Sequence, residues 1–292
     1  MPSAGNLRSI VAMLIAVGFF SLMDAVLKTL GNSYPAVQVA AMRGLSALPL
    51  VCLYVLWRQQ ARSLLHIRWR LHLLRGVMSV MMLSCFTFAL QTLPLTEAYT
   101  LFFIAPLLIT LLSIPVLKEK VSPRNWAAIV VGFFGVLIAM RPDGSAFFSL
   151  ASLAVLAAAT LYATSAVSAR VLSRTDSSVQ VVFWTTVLMA LGSGVLAAPG
   201  WVPVQSQHGP LIAALAVTGF LGGVAITEAF QSGKASAVAP FEYTALAWGM
   251  GLDWVIWRTV PDLYTLAGGG IIVASGLYLI RHEKTNVAVI PP

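Results

Sequence analysis

Apolar runs of about twenty residues recur along almost the whole chain, and nothing constrains its fold more. Wound as a helix, a run of that length crosses the hydrocarbon core of a bilayer. Ten such runs can be read: Ser9–Leu30, Ala36–Trp57, Leu71–Gln91, Glu97–Leu117, Trp126–Met140, Leu150–Leu172, Val179–Ala198, Leu211–Gln231, Ala235–Trp257 and Tyr264–Ile280. The links are short, Arg58–Arg70 being the longest, so no soluble domain fits between spans. Only 10% of the 292 residues are charged, and mean hydropathy is +0.87. A soluble domain carries roughly 25% charged residues. The pattern predicts an all-α polytopic membrane protein with ten transmembrane helices. The first run is too long for a signal-peptide core and contains Asp24, so it reads as span one.

A net charge of +8 would suggest nucleic-acid binding in a soluble protein. In a membrane protein it has a plainer origin, because cytoplasmic loops are rich in Lys and Arg. With the N-terminus inside, fourteen Lys and Arg fall on the cytoplasmic side, Arg75 counted among them. Only Lys28, Arg141 and Arg258 fall outside, and Arg43 lies within a span. Both termini are therefore expected in the cytoplasm.

The chain also repeats itself. Val37-Gln38-Val39 recurs as Val179-Gln180-Val181, an offset of 142 that also pairs Phe20 with Tyr162 and Lys28 with Arg170. Later in each half the offset is 140, pairing Ala89 with Ala229 and Gln91 with Gln231. Duplication explains ordered matches at a near-constant offset. The expected units are residues 1–146, holding spans one to five, and 147–292, holding spans six to ten. Five is odd, so the second unit enters the membrane inverted. That plan, common in secondary transporters, puts a binding site at the repeat interface near mid-membrane.

Polar residues inside spans mark where such a site lies. Asp24 and Arg43 are about 9 Å and roughly 12 Å from the outer ends of spans one and two, at 1.5 Å per residue. They form either a gate or substrate-binding pair, or a structural ion pair. Glu228 and Glu242 lie toward the inner ends of spans eight and nine. They are candidate proton-coupling groups if they approach each other. The plainer alternative is that they reach water or pair with Lys234 or Arg170. Glu97, at the start of span four, reads as a helix-capping carboxylate. Tyr99, Phe102, Tyr162, Trp184, Tyr243 and Trp248 are aromatic cavity candidates, and Trp57, Trp126, Trp201 and Trp257 read as interface belt residues. Pro106 and Pro240 sit early or midway in spans four and nine, where a proline frees a backbone carbonyl and kinks the helix. GFFG in span five and GGGIIVASG in span ten suit close, peripheral packing.

Little points to catalysis or to a cofactor. There is no Walker-type phosphate loop, and no Ser/His/Asp group lies at a common depth. His66, His72, His208 and His282 sit near span ends without ligand spacing, so no metal site is expected. Cys52 and Cys85 lie in apolar runs and read as packing residues. The expected contacts are a small-molecule substrate and membrane lipid, with no nucleic acid, for a monomer that is not an enzyme.

One stretch has a family look. From Glu97 through Pro106 to VLKEKVSPRNWAAIVVGFFGVLIAM, with Glu119, Gly132 and Gly135, the chain resembles the drug/metabolite transporter superfamily, in particular its ten-helix EamA-type exporters. Arg43 matches an Arg often seen in span two, and VPDLYTLAGGGIIVASGLYLI resembles the family's closing helix. Thr259 departs from the pattern, standing where a second Glu is common, so Glu119 reads as a structural residue at a loop end. The resemblance implies a bacterial inner-membrane exporter, with spans five and ten outside and the other eight around a central cavity. Its solutes would be amino acids, aromatic or neutral, and related metabolites. Drugs, nucleobases and S-adenosylmethionine are the alternative. Pro106 and Pro240 would be hinges for alternating access.

Overall fold

The computed structural model describes residues 3–90, 101–140 and 149–257, together with 263–264, 266–271, 274–275 and 278. Glu97, Tyr99, Arg141, Arg258 and Thr259 lie outside the described residues. The helices are α1 (Ser3–Gly31), α2 (Ala36–Trp57), α3 (Trp69–Leu90), α4 (Ala105–Leu117), α5 (Pro123–Met140), α6 (Leu150–Leu172), α7 (Ser178–Ala197), α8 (Gly209–Ser232), α9 (Ala235–Val238) and α10 (Ala245–Trp257). Residues 266–271 are helical too. No strand occurs among the described residues. Six helical stretches, from α1, α2, α3, α6, α7 and α8, are long and apolar enough to cross a membrane. Many of their outward side chains are aliphatic, such as Leu53 and Val195 at 64% and 72% exposure. In water these would be an aggregation hazard; against lipid tails they are at home.

The main helix contacts are α1 with α8, α2 with α7, and α3 with α6. This scheme is unchanged when spans one to five are exchanged for spans six to ten. The α1–α8 pair then becomes the α6–α3 pair, and α2–α7 maps onto itself. At the α2–α7 crossing, a Cβ on Gly44 would stand 2.7 Å from the Ala190 Cα, so only glycine allows the approach.

Equivalent residues tie the two ends of the bundle. At one end Gln38 donates to the Val202 carbonyl at 2.7 Å and accepts the Val202 N–H at 2.9 Å. At the other end Gln180, its counterpart in the repeated Val-Gln-Val, donates to the Ser63 carbonyl at 2.7 Å. The Tyr34 hydroxyl lies 2.7 Å from His208 Nδ1 and accepts the Gln205 N–H. Asp176, 142 residues later, lies 2.7 Å from His72 Nε2 and accepts the Arg68 N–H. Each pair locks the start of α2 or α7 to a link in the other half of the chain. His72 and His208 looked idle in sequence because their partners lie about a hundred residues or more away.

The spans that carry Pro106 and Pro240 differ from the expected kinked helix. Residues 103–104 form a turn, and α4 starts afresh at Ala105 with Pro106 in its first turn. In span nine the short α9 passes into a 3-10 segment, Ala239–Thr244, with Pro240 in its first turn, before α10 begins. A proline has no N–H to lose in a first turn, so it starts a helix more readily than it bends one. Glu119, from the link after α4, accepts the Ala235 N–H at 3.1 Å and caps α9.

Candidate solute cavity

The broken spans meet α1, α2, α3 and α6 around a space at the centre of the bundle. Its first chamber, about 160 Å³, is lined by Asp24, Arg43 and Glu242, and by a wall of Phe20, Phe86 and Phe102 among others. Phe103, Tyr162 and Pro106 also face it. A second chamber, about 110 Å³, lies toward the end where Arg75 and Thr185 enter from α3 and α7. Phe20, Arg43, Met82, Tyr162 and Ile226 line both. Phe20 and Tyr162, the residues the repeat pairs at an offset of 142, thus stand between the two chambers.

The polar groups are held by neighbours. Tyr162 donates to Glu242 Oε1 at 3.0 Å. Its ring is tilted against Phe102 with centroids 5.5 Å apart, and Phe102 meets Phe86 edge-on at 5.2 Å. The Arg43 guanidinium lies 5.6 Å from the Phe20 ring centroid, a cation–π contact, and feels the opposite charge of Asp24. Glu242 reaches the chamber from the 3-10 segment behind Pro240, so the helix break positions a carboxylate.

Of the residues singled out in sequence, Asp24, Arg43, Phe102, Pro106, Tyr162 and Glu242 line the first chamber. Three aromatics lie elsewhere. The Trp184 N–H donates to the Leu64 carbonyl at 2.8 Å, and its ring meets Trp69 edge-on, so it pins the α2–α3 link. Trp248 is 46% exposed and covers Gly18 on α1. Tyr243 is wholly buried between Phe103 and α5, where a Cβ on Gly132 would come within 2.6 Å of its ring. Depth along a helix is readable from sequence, but the side facing inward is not when every face is apolar.

The two glutamates have different partners. Glu228 takes an ion pair with Arg8 at 2.9 Å and a hydrogen bond from Ser178, and it lines neither chamber. Arg170 donates to the Gln231 carbonyl rather than to a glutamate. Pro240 is buried within the 3-10 segment. Sequence reading missed Arg75 by grouping it with the basic loop Arg58–Arg70. A signal was present, because Arg75 falls inside the third apolar run. In the structure it is 7% exposed, one and a half turns into α3.

Packed apolar spans, two of them broken beside a mainly apolar cavity that holds charged side chains, fit a membrane transporter of small solutes. The sequence profile of the EamA-like transporter family matches residues 7–141 and again 149–281, and the chain belongs to that family. The chain is 29% identical to the pseudopaline exporter of Pseudomonas aeruginosa, across 95% of this chain and 98% of the relative. It is 27% identical to the S-adenosylmethionine uptake transporter of Rickettsia conorii, across 93% and 94%. It is also 27% identical to the riboflavin transporter of Vibrio cholerae, across 95% and 94%. A crystal structure at 19% identity superposes with a TM-score of 0.80 over 97% of this chain and 100% of that one, a likeness of fold.

Proposed function

We propose that the protein is a secondary transporter of the bacterial inner membrane that exports amino acids, aromatic or neutral, and related metabolites by alternating access. The observation that carries this reading is the central cavity. Aromatic walls suit an apolar side chain, and Asp24, Arg43 and Glu242 suit a charged head. Residues 1–146 and 147–292 act as inverted five-span repeats that rock about the cavity. The breaks at Pro106 and Pro240 are the hinges. Both termini face the cytoplasm, as the distribution of Lys and Arg supports. Glu242 is the better candidate for proton coupling, since it lines the first chamber and accepts from Tyr162. Glu228 is engaged with Arg8 outside the chambers.

A second reading is a carrier for S-adenosylmethionine or another ring-bearing metabolite. The named relatives favour it, since none of those described above is named for amino-acid transport. Counterflow into proteoliposomes separates the two. The panel is labelled L-phenylalanine, L-alanine, S-adenosylmethionine and riboflavin, with and without a pH gradient. Saturable uptake of an amino acid supports the first reading. Uptake confined to S-adenosylmethionine or riboflavin replaces it with the second.

A further inference from the structure

Arg75 is a buried cation with only neutral partners. Its Nη1 donates to the Ser165 carbonyl at 2.5 Å and its Nε to the Thr185 hydroxyl at 3.2 Å. Among the described residues no carboxylate is in ion-pair contact with it. Removing a guanidinium from water without an opposing charge is costly, and proteins place such groups where an anion is to be bound. Among the described residues that line the second chamber there is no Asp or Glu, and the charged ones are Arg43 and Arg75. The first chamber holds Asp24 and Glu242. Tyr162 stands at the boundary, hydrogen-bonded to Glu242 on one side and within the field of Arg75 on the other. Tyr162 therefore has the Arg75 guanidinium on one flank and the Glu242 carboxylate on the other, while Arg43 reaches both chambers.

We infer that Arg75, Tyr162 and Glu242 form a receptor for an α-amino-acid head group, with the solute carboxylate on Arg75 and its ammonium on Glu242. The inference rests on the transporter reading and refines it. A guanidinium fork matches a carboxylate, and the Thr185 and Ser165 bonds hold that fork in place. The head carries its ammonium and its carboxylate on one carbon, which suits opposite charges on either flank of one tyrosine. The rest of the solute lies against Phe86, Phe102 and Phe103 in the first chamber. Arg75 is thus a residue that selects for solutes with a free carboxylate. Solutes with an amine but no carboxylate leave the guanidinium unpaired and bind poorly.

The test is thermal stabilisation and ligand affinity of the purified full chain. The probes are L-phenylalanine and S-adenosylmethionine, each against its methyl ester, and 3-phenylpropionate, which lacks the ammonium. The acid forms are expected to bind, with the esters and 3-phenylpropionate about tenfold weaker or worse, as loss of a charge-assisted contact implies. Arg75→Gln should erase the preference of acid over ester, and Arg75→Lys should retain part of it. If Arg75→Gln fails to fold, the comparison of acid with ester on the unaltered protein decides. Equal binding of acid and ester, an acid preference that survives Arg75→Gln, or no binding by either amino-acid probe would overturn the inference. Counterflow separates this from the reading beneath it. Binding that depends on Arg75 without counterflow sinks the transporter reading and leaves the receptor. Counterflow of a solute lacking a carboxylate, indifferent to Arg75→Gln, does the reverse.

Discussion

Asp176 shows how one residue can matter at an end of the bundle without lining either chamber. Burial alone would raise its carboxyl pKa. Hydrogen bonds with Thr175 and His72 and with the Arg68 backbone outweigh that and hold it below the ordinary value. A depressed carboxylate stabilises the fold above its unfolded pKa, and this contribution is lost as pH falls through the folded value. Asp176→Ala should therefore lower stability by about 1–3 kcal/mol near neutral pH, the cost of a buried donor left without its partner. Melting curves of the two proteins should converge in acid, below about pH 4. The deficit should hold down to about that pH, where the unfolded carboxyl titrates, and shrink only below it; a deficit undiminished well below it would show that the latch does not depend on charge. In the cavity, Glu242→Gln is expected to uncouple transport from the pH gradient, read as flux that no longer responds when the gradient is collapsed. Tyr162→Phe, which removes only the hydroxyl bonded to Glu242, should alter that response while the protein still folds. Asp24, Arg43 and Glu242 could be singled out in sequence because charge inside an apolar run is rare. Arg75 escaped because it closes a basic cluster that has an ordinary explanation at the membrane surface. Trp184 and Trp248 drew attention by depth alone, although neither lines a chamber.

At the scale of helices, the close crossing of α2 and α7 depends on Gly44. Gly44→Leu should cost about 1–3 kcal/mol, the usual range for overpacking, and lower the yield of folded protein. Gly194→Ala, at a helical glycine with nothing within 4 Å of the added carbon, should leave stability unchanged or slightly raised. Equal losses in the two variants would mean that the α2–α7 contact does not set stability. The broken spans call for a kinetic test. Pro106→Ala and Pro240→Ala each restore a backbone N–H and permit a continuous helix. The double variant should transport more slowly with little change in solute affinity; unchanged rates would remove the hinges from the mechanism. Long helices were legible because length and hydropathy suffice to place them. The breaks were only half legible. Proline marks a discontinuity, but whether it kinks a helix or starts one depends on the turn before it, which packing decides.

Taken whole, the molecule places matching sequence in matching contacts. The Val-Gln-Val pair, faint as a repeat, holds glutamines that bind a link in the other half at each end of the bundle. The ten-span plan was readable from hydropathy and the repeat from a few ordered residue matches, while the pairing of equivalent helices needed contacts, since repeats that have diverged keep their geometry longer than their residues. Solute identity was least readable, because relatives similar along nearly the whole chain are named for different solutes. The most direct test of the central claim is counterflow in proteoliposomes, with L-phenylalanine and S-adenosylmethionine loaded inside and added outside in labelled form. The account predicts saturable uptake of at least one of them, accelerated by unlabelled solute on the opposite side and weakened in Arg75→Gln. Flux that rises linearly with concentration and ignores solute across the membrane would describe a pore, and no flux of either would contradict the proposed solute class.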